Sequence, residues 1–134
     1  MSDPFHSLAI AGSGMNVYRT WLDAIADNVA NVNDVTSTDK AAFQERFIVA
    51  QAKSSNGRPD GAKVAAARFG NALGRVVYDP QNPQADKQGF VRLPDMDLTD
   101  QMAHMVVAQR AYQANVSAFQ SARDAYAKAL EIGK

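Results

Sequence analysis

The chain has no cysteine among its 134 residues, which excludes a disulfide framework, thiolate catalysis and every cysteine-ligated metal site. It has only two histidines. His6 and His104 lie far apart, each without a histidine at i+4 or a neighbouring glutamate, so the usual zinc and imidazole patterns are missing. No stretch approaches the roughly 18 consecutive apolar residues of a membrane span. The first basic residue is Arg19, so no positively charged secretory leader is expected. Charge of one sign is not in excess, with 14 Lys and Arg against 14 Asp and Glu, which argues against a generally basic nucleic-acid binder or a strongly acidic tail. Apolar residues are plentiful at 46%, enough for one ordinary folded domain.

Charge is uneven along the chain. Residues 1–34 carry a net −3, residues 35–75 a net +4 and residues 76–134 a net −1. A basic middle between acidic and neutral ends could help copies meet one another, but the basic residues are spread out and not clustered, which favours a solvated loop surface.

Three zones follow from periodicity. In the first, residues 1–33, Asp3 suits an N-cap and Pro4 the first helical position. Leu8, Met15, Leu22 and Val29 then recur every seven residues, with Ala11, Tyr18, Ile25 and Val32 three positions after each, the a/d stripe of a coiled coil. Gly12 and Gly14 weaken this helix or allow a close backbone approach. In the last zone, residues 98–134, Asp97 is the expected N-cap, with Asp100 placed as in a capping box. Leu98, Met105, Tyr112, Phe119 and Tyr126 form a strict seven-residue row beside a small row of Ala108, Ala122 and Ala129, with Gln101 and Asn115 interspersed.

The middle zone, residues 34–97, has no helical period. Val35–Asp39 and Ser54–Gly61 read as loops. Phe43–Ala52 fits a strand or a short helix, and Lys63–Arg68, Arg75–Tyr78 and Gly89–Leu93 fit short strands. The expected fold is α+β: long terminal helices paired as a coiled coil, with a small middle β-ribbon. A two-helix pair buries one stripe per helix, which leaves Ile10, Val17 and Trp21, and Val106 and Val107, in water. A connected apolar strip of that kind implies cover by other chains.

No catalytic, cofactor-binding or metal constellation is found. Asp95, Asp97 and Asp100 read first as a capping arrangement. Gly12-Ser13-Gly14 follows no strand and is no phosphate loop, and the basic middle lacks the aromatic interleaving of a single-strand nucleic-acid platform. Two other classes stay open: a soluble oligomeric coiled-coil adaptor, and an enzyme with a site in residues 34–97.

Three stretches carry a resemblance. Asp27–Asn33 (DNVANVN) has an Ala-Asn pair, Ala30-Asn31, near a helix end. Val77–Pro94 (VYDPQNPQADKQGFVRLP) and Met105–Val116, with Gln113-Ala114-Asn115 at its core, complete the set in order. Together they resemble the bacterial flagellar axial proteins, the family of rod and hook subunits, and within it the proximal-rod type. Where such proteins usually place proline or glycine before an aromatic, this chain has Ala41-Ala42-Phe43. The resemblance implies a structural subunit without enzymatic activity, small-molecule substrate, cofactor or nucleic-acid partner. Its partners would be other copies and other rod proteins, reached after unfolded passage through the flagellar type III export apparatus. Its place would be the basal-body rod in the periplasm. It also implies that Leu8, Met15, Tyr18, Leu22, Ile25 and Val29 form an assembly seam with Leu98, Met105, Tyr112, Phe119 and Tyr126.

Overall fold

The computed structural model describes residues 4–133, and the expected cap Asp3 lies outside them. The element order is α1 (Pro4–Asn31), β1 (Arg46–Ser55), β2 (Arg58–Phe69), β3 (Arg75–Tyr78), β4 (Phe90–Leu93) and α2 (Leu98–Ile132). This is the expected α+β arrangement, two long helices with antiparallel strands between them. The chain forms two compact units, one of residues 1–22, 48–66 and 106–134, the other of residues 23–47 and 67–105.

Within the first unit, the helices run antiparallel. Phe5 stacks on Tyr126 with ring centroids 4.4 Å apart, Gly12 faces Phe119, and Gly14 lies so close to Asn115 that a Cβ would overlap the Asn115 amide. Glycine here exchanges helix propensity for helix proximity. Asn115 sits at this approach because its Nδ2 donates back to the Ala111 carbonyl at 2.8 Å, which folds the amide against its own helix.

The strands β1 and β2 form a two-stranded sheet joined by Asn56-Gly57, with φ of 51° and 75°. Two successive positive φ values mark a type I′ turn, whose twist matches that of the flanking strands. This corrects the loop expected over Ser54–Gly61: only two of those residues turn and the rest are strand. The Asn-Gly pair was the signal for it.

The sheet also corrects the exposure expected on α1. Val17 is buried, and Ile10 and Trp21 are half-buried. Val17, Tyr18 and Trp21 share a cavity lining with Ile48 and Ala50 of β1, so the chain's own hairpin supplies much of the cover assigned to neighbours. The joint is held by Ser13, whose hydroxyl donates to the Ile10 carbonyl at 2.7 Å and accepts the Ala62 N–H at 3.0 Å. Gly61, at φ 86°, packs directly on that hydroxyl, and a side chain there would push β2 off α1. Val106 and Val107 remain exposed, as the period implied.

In the second unit, β3 and β4 pair antiparallel with Arg75 opposite Leu93 and Tyr78 opposite Phe90. Thr36 bridges to Arg92 on β4. The Arg92 guanidinium donates to the carbonyls of Leu73 and Thr38, both at 2.6 Å, tying two loops to β4. Buried Val91, Met96, Ala42, Ala24, Ile25 and Val32 form the apolar centre. Ala42 is buried there, and its N–H reaches the Ala72 carbonyl at 2.9 Å.

Replacing Gly14 with alanine tests the close approach. Overpacking should cost about 1–3 kcal/mol and outweigh the gain of about 1 kcal/mol in helix propensity. Urea unfolding of Gly14→Ala should show a net loss that Asn115→Ala in the same chain largely restores. A stabilised Gly14→Ala would contradict the packing.

Candidate assembly surface

The deepest polar feature lies in the second unit. Asn28 is 1% exposed, and its side chain addresses one residue twice: Oδ1 accepts the Arg46 N–H at 2.8 Å and Nδ2 donates to the Arg46 carbonyl at 3.1 Å. The side-chain amide thus stands in for a neighbouring strand at the start of β1. Nδ2 also donates to Gln101 Oε1 at 3.0 Å, and Gln101, likewise 1% exposed, donates to Glu45 at 2.6 Å. Asp27 pairs with the Arg46 guanidinium at the exposed edge of this joint. A buried amide with every partner present fixes one geometry, because each lost bond leaves a polar group without water.

The seam residues fall as follows. On α1, Ile25 is buried, and Leu8, Met15, Tyr18, Leu22 and Val29 are half-buried. On α2, Met105, Tyr112 and Tyr126 are half-buried, whereas Leu98 and Phe119 are exposed. The deepest line of α2 is the small row, with Gln101 and Ala108 buried and Asn115 and Ala122 half-buried; the large row flanks it. Ala30, Gln113 and Ala114 are exposed, and the Asn31 amide donates to the Asp27 carbonyl at 2.8 Å. Sequence reasoning missed Asn28 and the depth of Gln101. The partners of Asn28 lie 18 and 73 residues away, beyond the reach of any local pattern.

Apolar side chains remain exposed in each unit. In the first unit α2 exposes Val106, Val107, Leu130 and Ile132; in the second it exposes Leu98 and Met102, and the second sheet exposes Val76, Tyr78 and Phe90. Neighbouring apolar side chains such as Val106 and Val107 are candidates for contact with other chains. A polar cavity of about 390 Å³ in the second unit is lined by Glu45, Arg75, Asp95, Asp97, Gln101 and His104. Among the described residues no group of three or more His, Asp or Glu is arranged to hold a metal ion, and no helix is long and apolar enough to cross a membrane.

Two carboxylates brace the second unit locally. Asp97 caps α2, accepting the N–H of Thr99 at 2.7 Å and of Asp100 at 3.3 Å; these bonds, that of Thr99 foremost, lower its pKa below 3.8. Asp86 accepts the N–H of Phe90 and the hydroxyl of Thr38, which with the Gln88 N–H lower its pKa too. A carboxylate depressed by folding stabilises above its unfolded pKa, and that stability is lost as pH falls through the folded value. Asp97→Ala should therefore destabilise at neutral pH, with the difference from wild type shrinking steadily below pH 3.8. Asn28→Ala should cost about 3 kcal/mol in urea unfolding, since it orphans the buried groups of Arg46 and Gln101, and should speed hydrogen exchange at the Arg46 amide. Unchanged exchange there would remove the strand-mimic role.

The geometry offers exposed apolar side chains in both units, and comparison with known proteins gives the family. Residues 87–132 match the family described as flagellar basal body rod FlgEFG protein C-terminal. Over the whole chain, the flagellar basal-body rod protein FlgC of Yersinia enterocolitica is 34% identical across 126 residues, covering 93% of this chain and 94% of that one. The protein of the same name from Aquifex aeolicus is 33% identical over the full length of both. That of Bacillus subtilis is 29% identical over 97% of this chain and 98% of its own. The chain belongs to the FlgC family of flagellar basal-body rod proteins.

Proposed function

We propose that this protein is a structural subunit of the bacterial flagellar basal-body rod, in its proximal part, and that it carries load without performing catalysis. The observation that carries the reading is end-to-end similarity to rod proteins in a chain whose α2 leaves Leu98, Met102, Val106 and Val107 in solvent. Residues 1–33 and 98–134 act as one coiled-coil domain and residues 34–97 as a middle segment. Neighbouring copies and other rod proteins cover the apolar rows, and close packing between chains stiffens the shaft because packed interiors compress little. The subunit reaches the periplasm unfolded, through the flagellar type III export apparatus, and its helices gain their final order as neighbours arrive.

The seam residues Leu8, Met15, Tyr18, Leu22, Ile25, Val29, Leu98, Met105, Tyr112, Phe119 and Tyr126 are the contacts proposed to matter. Half-buried Tyr112 is the most informative of them, since a charge there meets an interior that only assembly completes. Cells lacking the gene should have no flagella, and wild-type chain should restore them. Tyr112→Asp chain should be made and exported yet fail to enter basal bodies, with its β1–β2 hairpin intact by hydrogen exchange. Normal swimming of the Tyr112→Asp cells would remove the seam, and normal flagellation of the deletion would remove the rod reading.

A further inference from the structure

Overall neutrality conceals a division. Among its described residues, the unit of 1–22, 48–66 and 106–134 holds seven Lys and Arg against three Asp and Glu, a net +4. The unit of 23–47 and 67–105 holds six against ten, a net −4. A surface divided in this way attracts copies of itself in one sense only, basic unit to acidic unit, and repels them in the other.

Each unit also has an apolar feature, and the two are opposite in form. In the basic unit, Val17, Tyr18, Trp21, Ile48 and Ala50 line an open recess of about 260 Å³. Lys53 stands on β1 three residues beyond Ala50, and Arg58 and Lys63 are exposed on β2. Asp60 opposes them, 3.8 Å from Lys53 and 3.9 Å from His6. In the acidic unit, Tyr78 is 63% exposed and meets Phe90 edge-on, with ring centroids 5.3 Å apart. Asp79 follows Tyr78, and Asp86 accepts the Phe90 N–H at 2.9 Å, so carboxylates border these rings, with Lys87 the one cation in the loop. The net basic unit thus holds an apolar recess, and the net acidic unit an aromatic projection beside carboxylates.

Resting on the rod reading above, we propose that the Tyr78–Phe90 edge of one copy enters the Val17–Tyr18–Trp21–Ile48–Ala50 recess of the next, drawn there by the opposite charges of the two units. Such a contact joins two different patches. It therefore propagates from copy to copy into a ring or an open helix, whereas a two-fold contact would set like charges together.

The cysteine-free chain permits a clean test. A tagged Ala50→Cys chain is mixed with an untagged Val76→Cys chain, which keeps Tyr78, and the mixture is oxidised mildly. At about 20 mM salt the mixed disulfide dimer should exceed either like-with-like dimer by at least about fivefold, and the excess should vanish near 0.5 M salt as screening shortens to a few ångströms. Tyr78→Ala in the second chain, or Lys53→Glu with Arg58→Glu in the first, should abolish the excess with the fold retained by circular dichroism. Equal yields of mixed and like dimers, or an excess indifferent to salt and to these changes, would overturn the contact. A recess that instead receives a different rod protein would give the equal-yield result. Loss of this contact leaves the rod reading untouched if the chain still restores flagella to deletion cells, so the two failures are separable.

Discussion

Asn28 sits where the helix, the first strand and α2 must agree on one geometry within the second unit. Its amide occupies both backbone groups of Arg46 and reaches Gln101, which holds Glu45. A hydrophobic contact at this point would tolerate sliding, because apolar packing is non-directional. Hydrogen bonds between buried amides do not slide, since every small displacement leaves a donor or acceptor without a partner. The start of β1 at Arg46 is therefore fixed to α1 by one side-chain amide. The Ser13 hydroxyl against Gly61 performs the corresponding task for the hairpin in the first unit.

These joints explain how a chain with few large buried side chains keeps a defined shape. The buried positions on α2 are an amide and an alanine, Gln101 and Ala108, so the helix lies close to its partner and gains more from proximity than from bulk. The large residues flank that line and stay half-covered or open. A subunit designed to stand alone would turn its bulk inward. In a subunit that becomes part of a packed shaft, half-covered bulk is material for the next contact, and the cost of its exposure lasts only until a neighbour arrives.

Much of this was legible in the sequence, for identifiable reasons. Seven-residue spacing placed both long helices, since periodicity survives every detail of packing. Asp97 was readable as a cap because a helix start leaves N–H groups that a nearby carboxylate can take. The hairpin was only half legible: residues 54–61 are polar and rich in turn formers, and composition obscured the Asn-Gly pair that turns in two residues. Val17 was misplaced into water because a heptad describes helix against helix and is blind to a ribbon lying on a third face. Asn28 was unreadable for a related reason, since its partners at Arg46 and Gln101 lie 18 and 73 residues away and no local pattern announces them.

The central claim is that neighbours complete what the isolated chain leaves open. Imaging intact basal bodies at side-chain resolution, from cells whose rods contain this chain, tests it most directly. The account predicts Met102, Val106 and Val107 of α2 packed against adjacent subunits and closed to water. Finding those three side chains facing solvent in the finished rod would contradict it.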